Sequence, residues 1–475
     1  MSESSAVVDY DLLVIGAGSG NTLIGPEFDE WSIALVDDGE HFGGTCLNAG
    51  CIPTKMFVHV ADVAGDAADA ARLGWHQPAG HVDWPALRQR IFGRTDAISA
   101  AGERYRATEC PNVTLVRESV VFEDAHTVVT AGGRRLRGRV VVVAAGSRPR
   151  PLTAPHDDDP AIYDSDSIMR IDQLPASMII AGGGAVAMEF AHVFSSFGVR
   201  VTIVNRSPRL LRTLDDEVSR AFTDIATRRW HVHAGSPIVR VARDGAQLDV
   251  VTADGAHHLA ESLLVAQGRI PNTDRLGLAP FFDVVDGRLS VDDAQRAQHD
   301  GAVVPGVYAL GDICSAYELK HVANHQARLV RHNITHPDAP HRGNPGPVPA
   351  AIFSHPQVAH FGLTEAEALR RYGRDHVVTA RYDYAGTAYG WAFEDTTGFC
   401  KLVVSAPDGA ILGAHLIGPQ ASILLQPLIQ AAALGRGVRG LARAQYWPHP
   451  AAVEVVENAL LHAEEALGEA ADGEG

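Results

Sequence analysis

The sequence predicts an α/β protein with two doubly wound parallel-sheet domains and a C-terminal α+β domain. Three observations lead to this fold class: the length of 475 residues, two copies of a strand, glycine-turn and helix pattern, and a C-terminal region without a glycine fingerprint. At about 150 residues per domain, this length fits three domains. Hydrophobic residues at 46% and charged residues at 20% are ordinary for a globular protein.

The first pattern opens the chain. An apolar run at 11–15 leads into Gly16-Ala17-Gly18-Ser19-Gly20-Asn21, and a second apolar run at 33–36 ends at Asp37. Such a turn lets backbone amides approach a diphosphate, and an acid about 20 residues further on hydrogen-bonds a ribose. Gly16, Gly18 and Asp37 are therefore candidate dinucleotide ligands. Gly25-Pro26 interrupts the helix that should follow, so we expect that helix to be short or kinked.

The second pattern is the more regular copy. A strand at 178–180 leads into Gly182-Gly183-Gly184-Ala185-Val186-Ala187, followed by a helix from about 188 to 197 and a strand at 200–204. One such fingerprint is weak evidence, but two in the required context predict two Rossmann-like dinucleotide-binding domains. Gly182, Gly184 and Ala187 are the candidate ligands of the second nucleotide.

The residue after the strand at 200–204 indicates which nicotinamide nucleotide is bound. Asn205 occupies the position of the ribose-binding acid, and Arg206, Arg209 and Arg212 follow it. Guanidinium groups suit a 2′-phosphate, so this segment favours NADPH over NADH. The alternative interpretation is that these arginines form a solvated surface cluster.

A segment between the two fingerprints contains a close pair of cysteines. It reads Gly43-Gly44-Thr45-Cys46-Leu47-Asn48-Ala49-Gly50-Cys51-Ile52-Pro53-Thr54-Lys55. Two cysteines at this spacing cannot be bridged inside a regular helix, so we expect the chain to bend at 48–50. A reducible pair at the start of a helix is one interpretation; a zinc site and two unrelated buried cysteines are the others.

Composition limits the partners and the compartment. The net charge of -17 would repel nucleic acid and anionic membranes. Residues 1–8 lack a signal-peptide pattern, and no uncharged apolar run of 18 residues occurs. Five cysteines in so long a chain do not form a disulfide scaffold. We therefore expect a cytoplasmic enzyme that binds neither nucleic acid nor membrane.

The motifs together resemble a known family. The segment 43–55, the junctions 145–149 and 267–272, Tyr308-Ala309-Leu310-Gly311-Asp312 and His449-Pro450-Ala451-Ala452-Val453-Glu454 resemble the class I flavoprotein disulfide reductases, the family of glutathione reductase and dihydrolipoamide dehydrogenase. The resemblance covers about residues 9 to 465. It implies an FAD-binding domain at 1–150, an NAD(P)H-binding domain at 151–272, a second part of the FAD-binding central domain at 273–342, and a C-terminal dimerisation domain at 343–467. We expect a disordered acidic tail at 468–475.

The resemblance also implies roles for single residues. Electrons would pass from NADPH through FAD to the Cys46–Cys51 pair. Cys51 would be the thiolate nearer the flavin, and Cys46 would attack the substrate disulfide. His449, oriented by Glu454, would shuttle protons to and from thiols. In the family this pair comes from the partner subunit, so the resemblance implies a homodimer whose active site spans the interface.

Further family positions would contact the cofactors. Lys55 and Glu189 match an ion pair beside the flavin; the alternative for Lys55 is a solvated helix lysine. No metal site is expected. The remaining candidate cofactor-binding residues are Gly44, Thr45, Ala145, Gly146, Gly268, Arg269, Gly311, Asp312, Lys320 and His321.

Fold and motif leave the substrate open. The segments 320–325, 388–395 and 445–450, with 455–459, resemble one branch of the family, which reduces the disulfide of a cysteinyl sugar thiol. We therefore expect a small-molecule disulfide as substrate. Dihydrolipoamide dehydrogenase is the enzymatic alternative, and a nucleotide-binding redox sensor without turnover is the alternative from another class.

Overall fold

A computed structural model describes residues 6–76, 80–343 and 346–472. It confirms the predicted α/β class: two parallel-sheet units lie beside a C-terminal unit with an antiparallel sheet. No helix within these ranges is both long enough and apolar enough to cross a membrane.

The first unit is built on an eight-stranded sheet. Its central strands are parallel, and Leu12, Leu13 and Val14 are fully buried between layers on both faces. Registers that pair Ile15 with Val36 and Val143 bring the carboxyl ends of neighbouring strands to one edge. In spatial order the main strands are Arg296–His299, Ala302–Ala309, Arg135–Val143, Val7–Ile15, Ile33–Val36 and Val113–Val116, with Val120–Phe122 and Thr127–Thr130 added beside Arg135–Val143.

One face of this sheet packs against the helix Lys320–Thr335, and the other face packs against the added strands and the segment 276–289. The further helices of this unit are Thr45–Asn48, Cys51–Asp69 and Trp84–Arg104, which ends in a π-helical turn at Tyr105–Glu109. Because residues 302–309 pair with the strand ending at Val143, the segment after the second unit completes the first sheet.

The helix expected after the first glycine turn is very short, as predicted. Two three-residue 3-10 turns, Asn21–Leu23 and Pro26–Phe28, replace it. Arginines from other helices satisfy the carbonyl groups that these turns leave unpaired: Arg106 donates to Asn21 O and Ile24 O, and Arg331 donates to Leu23 O.

The second unit holds a five-stranded parallel sheet. The strands, in spatial order, are His231–Ala234, Arg200–Asn205, Ser177–Ala181, Ser262–Val265 and Ile162–Asp164. Its helices are Ala185–Ser196 and Asp216–Arg229, and a three-stranded antiparallel sheet packs beside it: Ile238–Asp244, Gln247–Thr252 and His257–Ala260. The first helix starts three residues earlier than predicted because the extended backbone of Gly184 already forms its N-cap.

Two short antiparallel pairs lie outside the main sheets. Arg269–Pro271 pairs with Ser147–Pro149, and Val284–Val285 pairs with Arg288–Leu289. Short 3-10 turns lie at Ile168–Arg170, Gly311–Ile313, Arg374–His376, Tyr384–Gly386 and Ala442–Ala444.

The C-terminal unit has a five-stranded antiparallel sheet. Its strands, in spatial order, are Ala350–Ile352, Gln357–Gly362, Ile411–Gly418, Phe399–Ser405 and Val377–Asp383. Its helices are Glu365–Tyr372, Ala388–Phe393, Ala421–Leu424, Gln426–Ala433 and Glu454–Asp472.

The expected disordered tail at 468–475 is wrong for residues 468–472. The last helix continues to Asp472, and Leu467 packs in the core of the C-terminal unit with only 1% of its surface exposed. The helix is anchored by packing up to Leu467, and the good helix formers Glu469, Ala470 and Ala471 allow it to continue. Residues 473–475 lie outside the described part of the chain.

A buried lysine fixes the C-terminal unit to the second unit. The Lys401 side chain is 2% exposed, and its Nζ lies 3.0 Å from Asp215 and 2.6 Å from Glu217 and Glu365. Because a buried ammonium group requires paired charges, this cluster holds the helix Asp216–Arg229 in one orientation against the C-terminal sheet.

Candidate active site

The first glycine turn lies at the carboxyl edge of the first sheet. Gly16 has φ +105°, and a Cβ there would lie 2.3 Å from Ala144 O. A Cβ on Gly44 would lie 2.5 Å from the Cα of Gly18, so the turn packs directly on the segment that leads to Cys46. These glycines keep the backbone accessible, and the turn fits the diphosphate of a dinucleotide.

Asp37 is held against this turn. Its Oδ2 accepts a hydrogen bond of 2.8 Å from the Ala17 amide, and its Oδ1 accepts one of 2.6 Å from Arg117. Burial raises the pKa of the carboxyl, while these donors lower it. The acid thus lies where the sequence predicts a ribose partner.

Beside this contact, the first turn and the redox segment together line a cavity of about 280 Å³. The Lys320 ammonium reaches across it and donates a hydrogen bond of 2.8 Å to Ser19 Oγ. Cys46 also lines the cavity, whereas the His321 side chain is exposed. The full lining is Ala17, Gly18, Asn21, Thr22, Phe42, Gly43, Cys46, Leu47, Ile52, Ile98, Ser99, Gly102 and Lys320.

The family-like junctions meet around Asp312. Its carboxylate accepts a hydrogen bond of 2.7 Å from Ser147 Oγ, and Arg269 Nε donates to the same hydroxyl at 2.8 Å. The amide of Gly311 donates to the buried Gln326 side chain at 2.8 Å. Ser147 and Gln326 were not among the predicted site residues; Ser147 was visible only as part of the 145–149 motif.

Asn272 joins the same junctions from the second unit. Its side chain donates to Ala145 O at 2.8 Å, and its amide donates to Gly146 O at 3.1 Å. Gly268, with φ +102°, lets the chain turn just before Arg269. The predicted residues Ala145, Gly146, Gly268 and Arg269 therefore lie together.

The second glycine turn has the same geometry as the first, but a full-length helix follows it. Gly182 has φ +137°, and a Cβ there would lie 2.2 Å from Ala266 O. Gly184 caps the twelve-residue helix Ala185–Ser196, in which Ala187 is fully buried. A helix N-terminus at this place favours a bound phosphate.

Asn205 shapes the loop that follows the adjacent strand. Its side-chain amide donates to Ser207 O at 2.8 Å and to Arg209 O at 3.1 Å. Arg209 is paired with Asp216. Arg206 and Arg212 are exposed and have no ion-pair partner among the described residues.

The chain bends between the two cysteines, as predicted. Cys46 lies in the helix Thr45–Asn48, and Cys51 starts the helix Cys51–Asp69. Between them Ala49 leaves the helical conformation, and a Cβ on Gly50 would lie 2.9 Å from Thr45 O. Both cysteines carry free thiols.

The two thiols are not equivalent. A hydrogen bond from the Cys46 thiol and the positive charge of Lys55 lower the pKa of Cys51 to about 6. Donating that hydrogen bond, together with burial, raises the pKa of Cys46. In the reduced pair the thiolate form is therefore favoured on Cys51 and the proton on Cys46.

Lys55 is ion-paired next to Cys51. Its Nζ lies 2.6 Å from Glu189 Oε2, and it sits 4.8 Å above the Phe353 ring. Glu189 is 9% exposed, and its other oxygen accepts a hydrogen bond of 2.9 Å from the Phe353 amide. Lys55 is thus held at the junction of three units; no sequence signal identified Phe353.

His449 and Glu454 form a pair at the other end of the chain. His449 Nδ1 lies 2.5 Å from Glu454 Oε1, and the imidazole is 71% exposed. Glu454 Oε2 also accepts a hydrogen bond of 3.3 Å from the Ala451 amide. Within the described residues of one chain, neither side chain contacts Cys46 or Cys51.

Fold and site together define a class of protein. Residues 10–327 match the pyridine nucleotide-disulphide oxidoreductase model, and residues 348–460 match the dimerisation domain of that family. The chain belongs to this family, and the predicted enzyme class, a flavoprotein disulfide reductase, is confirmed.

Particular relatives can then be compared. The chain is 43% identical over 466 residues to mycothione reductase of Mycobacterium tuberculosis, covering 95% of this chain and 99% of that one. It is 30% identical to dihydrolipoyl dehydrogenase of Haloferax volcanii, with 97% of each chain covered. It is 29% identical to glutathione reductase of Burkholderia cepacia, with 89% and 92% covered.

A solved structure extends the comparison to the fold. The HOCl-induced flavoprotein disulfide reductase RclA from Escherichia coli superposes with a TM-score of 0.81 at 23% identity, covering 95% of this chain and 99% of that chain. The similarity of the three-dimensional structures therefore spans all three units. The resemblance to the mycothione reductase branch, which the sequence predicted, is confirmed.

Proposed function

We propose that the protein is an FAD-dependent enzyme that uses NADPH to reduce mycothione, the disulfide of mycothiol, to two mycothiol molecules. The redox pair carries the proposal: Cys51 is a thiolate beside the Lys55–Glu189 ion pair, and Cys46 is a protonated thiol facing a cavity. The substrate rests on 43% identity to a mycothione reductase, against 30% and 29% for relatives that act on other disulfides.

The residues of the first unit would hold FAD. The turn at Gly16 and Gly18 and the segment at Gly44 and Thr45 border the diphosphate site, and Asp37 would bind the ribose. Asp312, oriented by Ser147, would bind the flavin's side chain from the opposite side. When bound, FAD carries two electrons from the nicotinamide to the cysteine pair.

Reduction of the substrate follows from the state of the two thiols. Cys46 loses its proton and attacks one sulfur of the substrate disulfide, which forms a mixed disulfide and expels the other half as a thiolate. His449 takes the proton from Cys46 and gives it to that thiolate. Cys51 then attacks Cys46 Sγ, which releases the second half and leaves a Cys46–Cys51 disulfide. Two electrons from NADPH reduce it again.

The proton step needs a second subunit. His449 is exposed and lies away from the cysteines of its own chain, within the segment that matches the dimerisation domain. We place it in the active site of the partner in a homodimer. The Cys46–Cys51 pair must be reduced in every turnover, which is consistent with an enzyme that works in the reducing cytoplasm.

Arg206 is the first residue with which to test the nucleotide preference. We expect Arg206→Ala to raise KM for NADPH about 10- to 100-fold, because a charge-assisted hydrogen bond to the 2′-phosphate is lost. KM for NADH should change little. Arg200→Ala, at the opposite end of the same strand, is the matched control. Equal increases in KM for NADPH and NADH would show that Arg206 is a solvated surface charge that does not distinguish the two nucleotides.

The function itself is tested with three disulfides. Purified protein receives mycothione, glutathione disulfide or lipoamide, with NADPH and NADH in parallel, and nucleotide oxidation is followed. We expect turnover with mycothione and NADPH to exceed the other five combinations. If turnover is fastest with lipoamide and NADH, the cysteine mechanism still holds, but the substrate is that of a dihydrolipoamide dehydrogenase.

A further inference from the structure

The two glycine turns of this chain differ in the length of the helix that follows them. The second turn leads into the twelve-residue helix Ala185–Ser196, whose aligned peptide dipoles place partial positive charge at the turn. The first leads into the three-residue 3-10 turn Asn21–Leu23, which is too short to supply a comparable dipole. A diphosphate at the first turn therefore lacks the usual source of positive charge.

The arginines nearest the first turn do not replace it. The Arg106 guanidinium group donates hydrogen bonds to Asn21 Oδ1 at 2.7 Å and to the backbone carbonyls of Asn21 and Ile24 at 3.2 Å. Arg331 binds Leu23 O at 2.9 Å and lies 3.7 Å from Glu27. Both side chains hold the irregular segment together, and their donors point at protein carbonyls.

Lys320 is placed differently. It is the first residue of the helix Lys320–Thr335, and its Nζ donates to Ser19 Oγ at 2.8 Å, inside the glycine turn. Among the described residues that line the cavity beside this turn, Lys320 alone is charged. An ammonium with three donors can keep its bond to Ser19 and still bind an anion.

The residue type supports a specific role. Of the 40 basic residues only three are lysines, Lys55, Lys320 and Lys401, and the other two lie in the ion pairs described above. Surface positive charge is thus supplied by arginine throughout this chain. A lysine at 320 gives a compact point charge at the end of a flexible side chain, whereas a planar guanidinium group needs more room.

We propose that Lys320 binds the diphosphate of the dinucleotide at the first glycine turn and replaces the positive helix N-terminus that this turn lacks. The proposal rests on the use of FAD by the enzyme and is independent of the substrate. It assigns to the diphosphate the side chain of Lys320, which the family resemblance gave only as a candidate cofactor-binding residue.

The test is the equilibrium release of FAD from the purified holoenzyme, followed by the recovery of flavin fluorescence on dilution at low and at high salt. We expect Lys320→Met to weaken FAD binding about 10- to 100-fold, since a charge-assisted hydrogen bond is lost. The difference from the unmodified protein should shrink at high salt. Lys320→Arg should restore part of the affinity, because the charge is kept.

Arg328→Met is the matched control, because it removes an exposed charge from the same helix. It should leave FAD release unchanged. Unchanged FAD release in Lys320→Met would overturn the proposal. Slower alkylation of Cys46 in Lys320→Met, with the FAD affinity unaltered, would also overturn the proposal. Lys320 would then act on the reactivity of the Cys46 thiol and not on FAD binding. If Lys320→Met and Lys320→Arg lose FAD affinity equally and independently of salt, the role of Lys320 is structural. Failure of the mycothione assay would leave each of these outcomes interpretable.

Discussion

Cys46→Ser is expected to abolish disulfide turnover while NADPH still reduces the flavin. The serine hydroxyl keeps the hydrogen bond to the Cys51 thiolate but cannot form a mixed disulfide. We expect the turnover rate to fall on the order of 10⁴- to 10⁶-fold, as when a covalent nucleophile is removed from other enzymes. Flavin bleaching in the absence of oxygen, compared with steady-state NADPH oxidation, separates the two half-reactions.

Cys110→Ser is the control for this experiment. Cys110 is buried at the end of the helical segment 84–109 and accepts a weak hydrogen bond from Arg106, far along the chain from the redox pair. This variant should turn over normally. Normal turnover in Cys46→Ser, or a flavin that NADPH no longer reduces, would contradict the assignment of Cys46 as the attacking thiol.

His449→Ala is expected to lower the turnover rate about 10²- to 10⁴-fold with FAD still bound. The proton on Cys46 must leave before attack, because the hydrogen bond to Cys51 and burial both raise the pKa of Cys46. Without the imidazole, water has to accept that proton and later protonate the leaving thiolate. His462→Ala, an exposed histidine on the last helix, is the control.

Subunit mixing tests where His449 acts. Dimers that combine a Cys46→Ser subunit with a His449→Ala subunit have one site with both functional groups, provided that His449 serves the partner. Random reassortment of equal amounts should then restore about one quarter of the unmodified activity, since about half of the dimers are mixed and each has one competent site. No recovery, with mixed dimers demonstrated, would place His449 in its own chain's site.

Local motifs were predictable from the sequence because they depend on short-range geometry. Gly16 and Gly182 adopt positive φ and leave no room for a Cβ, so only glycine is accommodated there. The bend at Ala49 and Gly50 follows from the cysteine spacing, and the His449–Glu454 pair lies within five residues. Gly25-Pro26 likewise predicted the short turn after the first fingerprint.

Contacts between distant residues were decided only by the tertiary structure. Ser147 meets Asp312 from 165 residues away, and Lys401 meets Asp215 from 186, whereas the pair of Lys55 and Glu189, 134 residues apart, was implied only by the family resemblance. Each pair comes from separate elements that meet only in the folded chain, so the spacing of the two residues in the sequence does not indicate the contact. The same holds for Lys320 and Ser19, which are 301 residues apart.

The sequence by itself therefore determined the class of enzyme, its nucleotide turns and its redox pair, because each of these lies in a contiguous segment with fixed backbone requirements. The tertiary structure supplied the physical reason why Cys51, rather than Cys46, favours the thiolate form. Cys46 and Cys51 are the same residue type, and only burial, the hydrogen bond between them and the approach of Lys55 separate their pKa values. It also showed that the last helix, anchored in the C-terminal core up to Leu467, continues to Asp472.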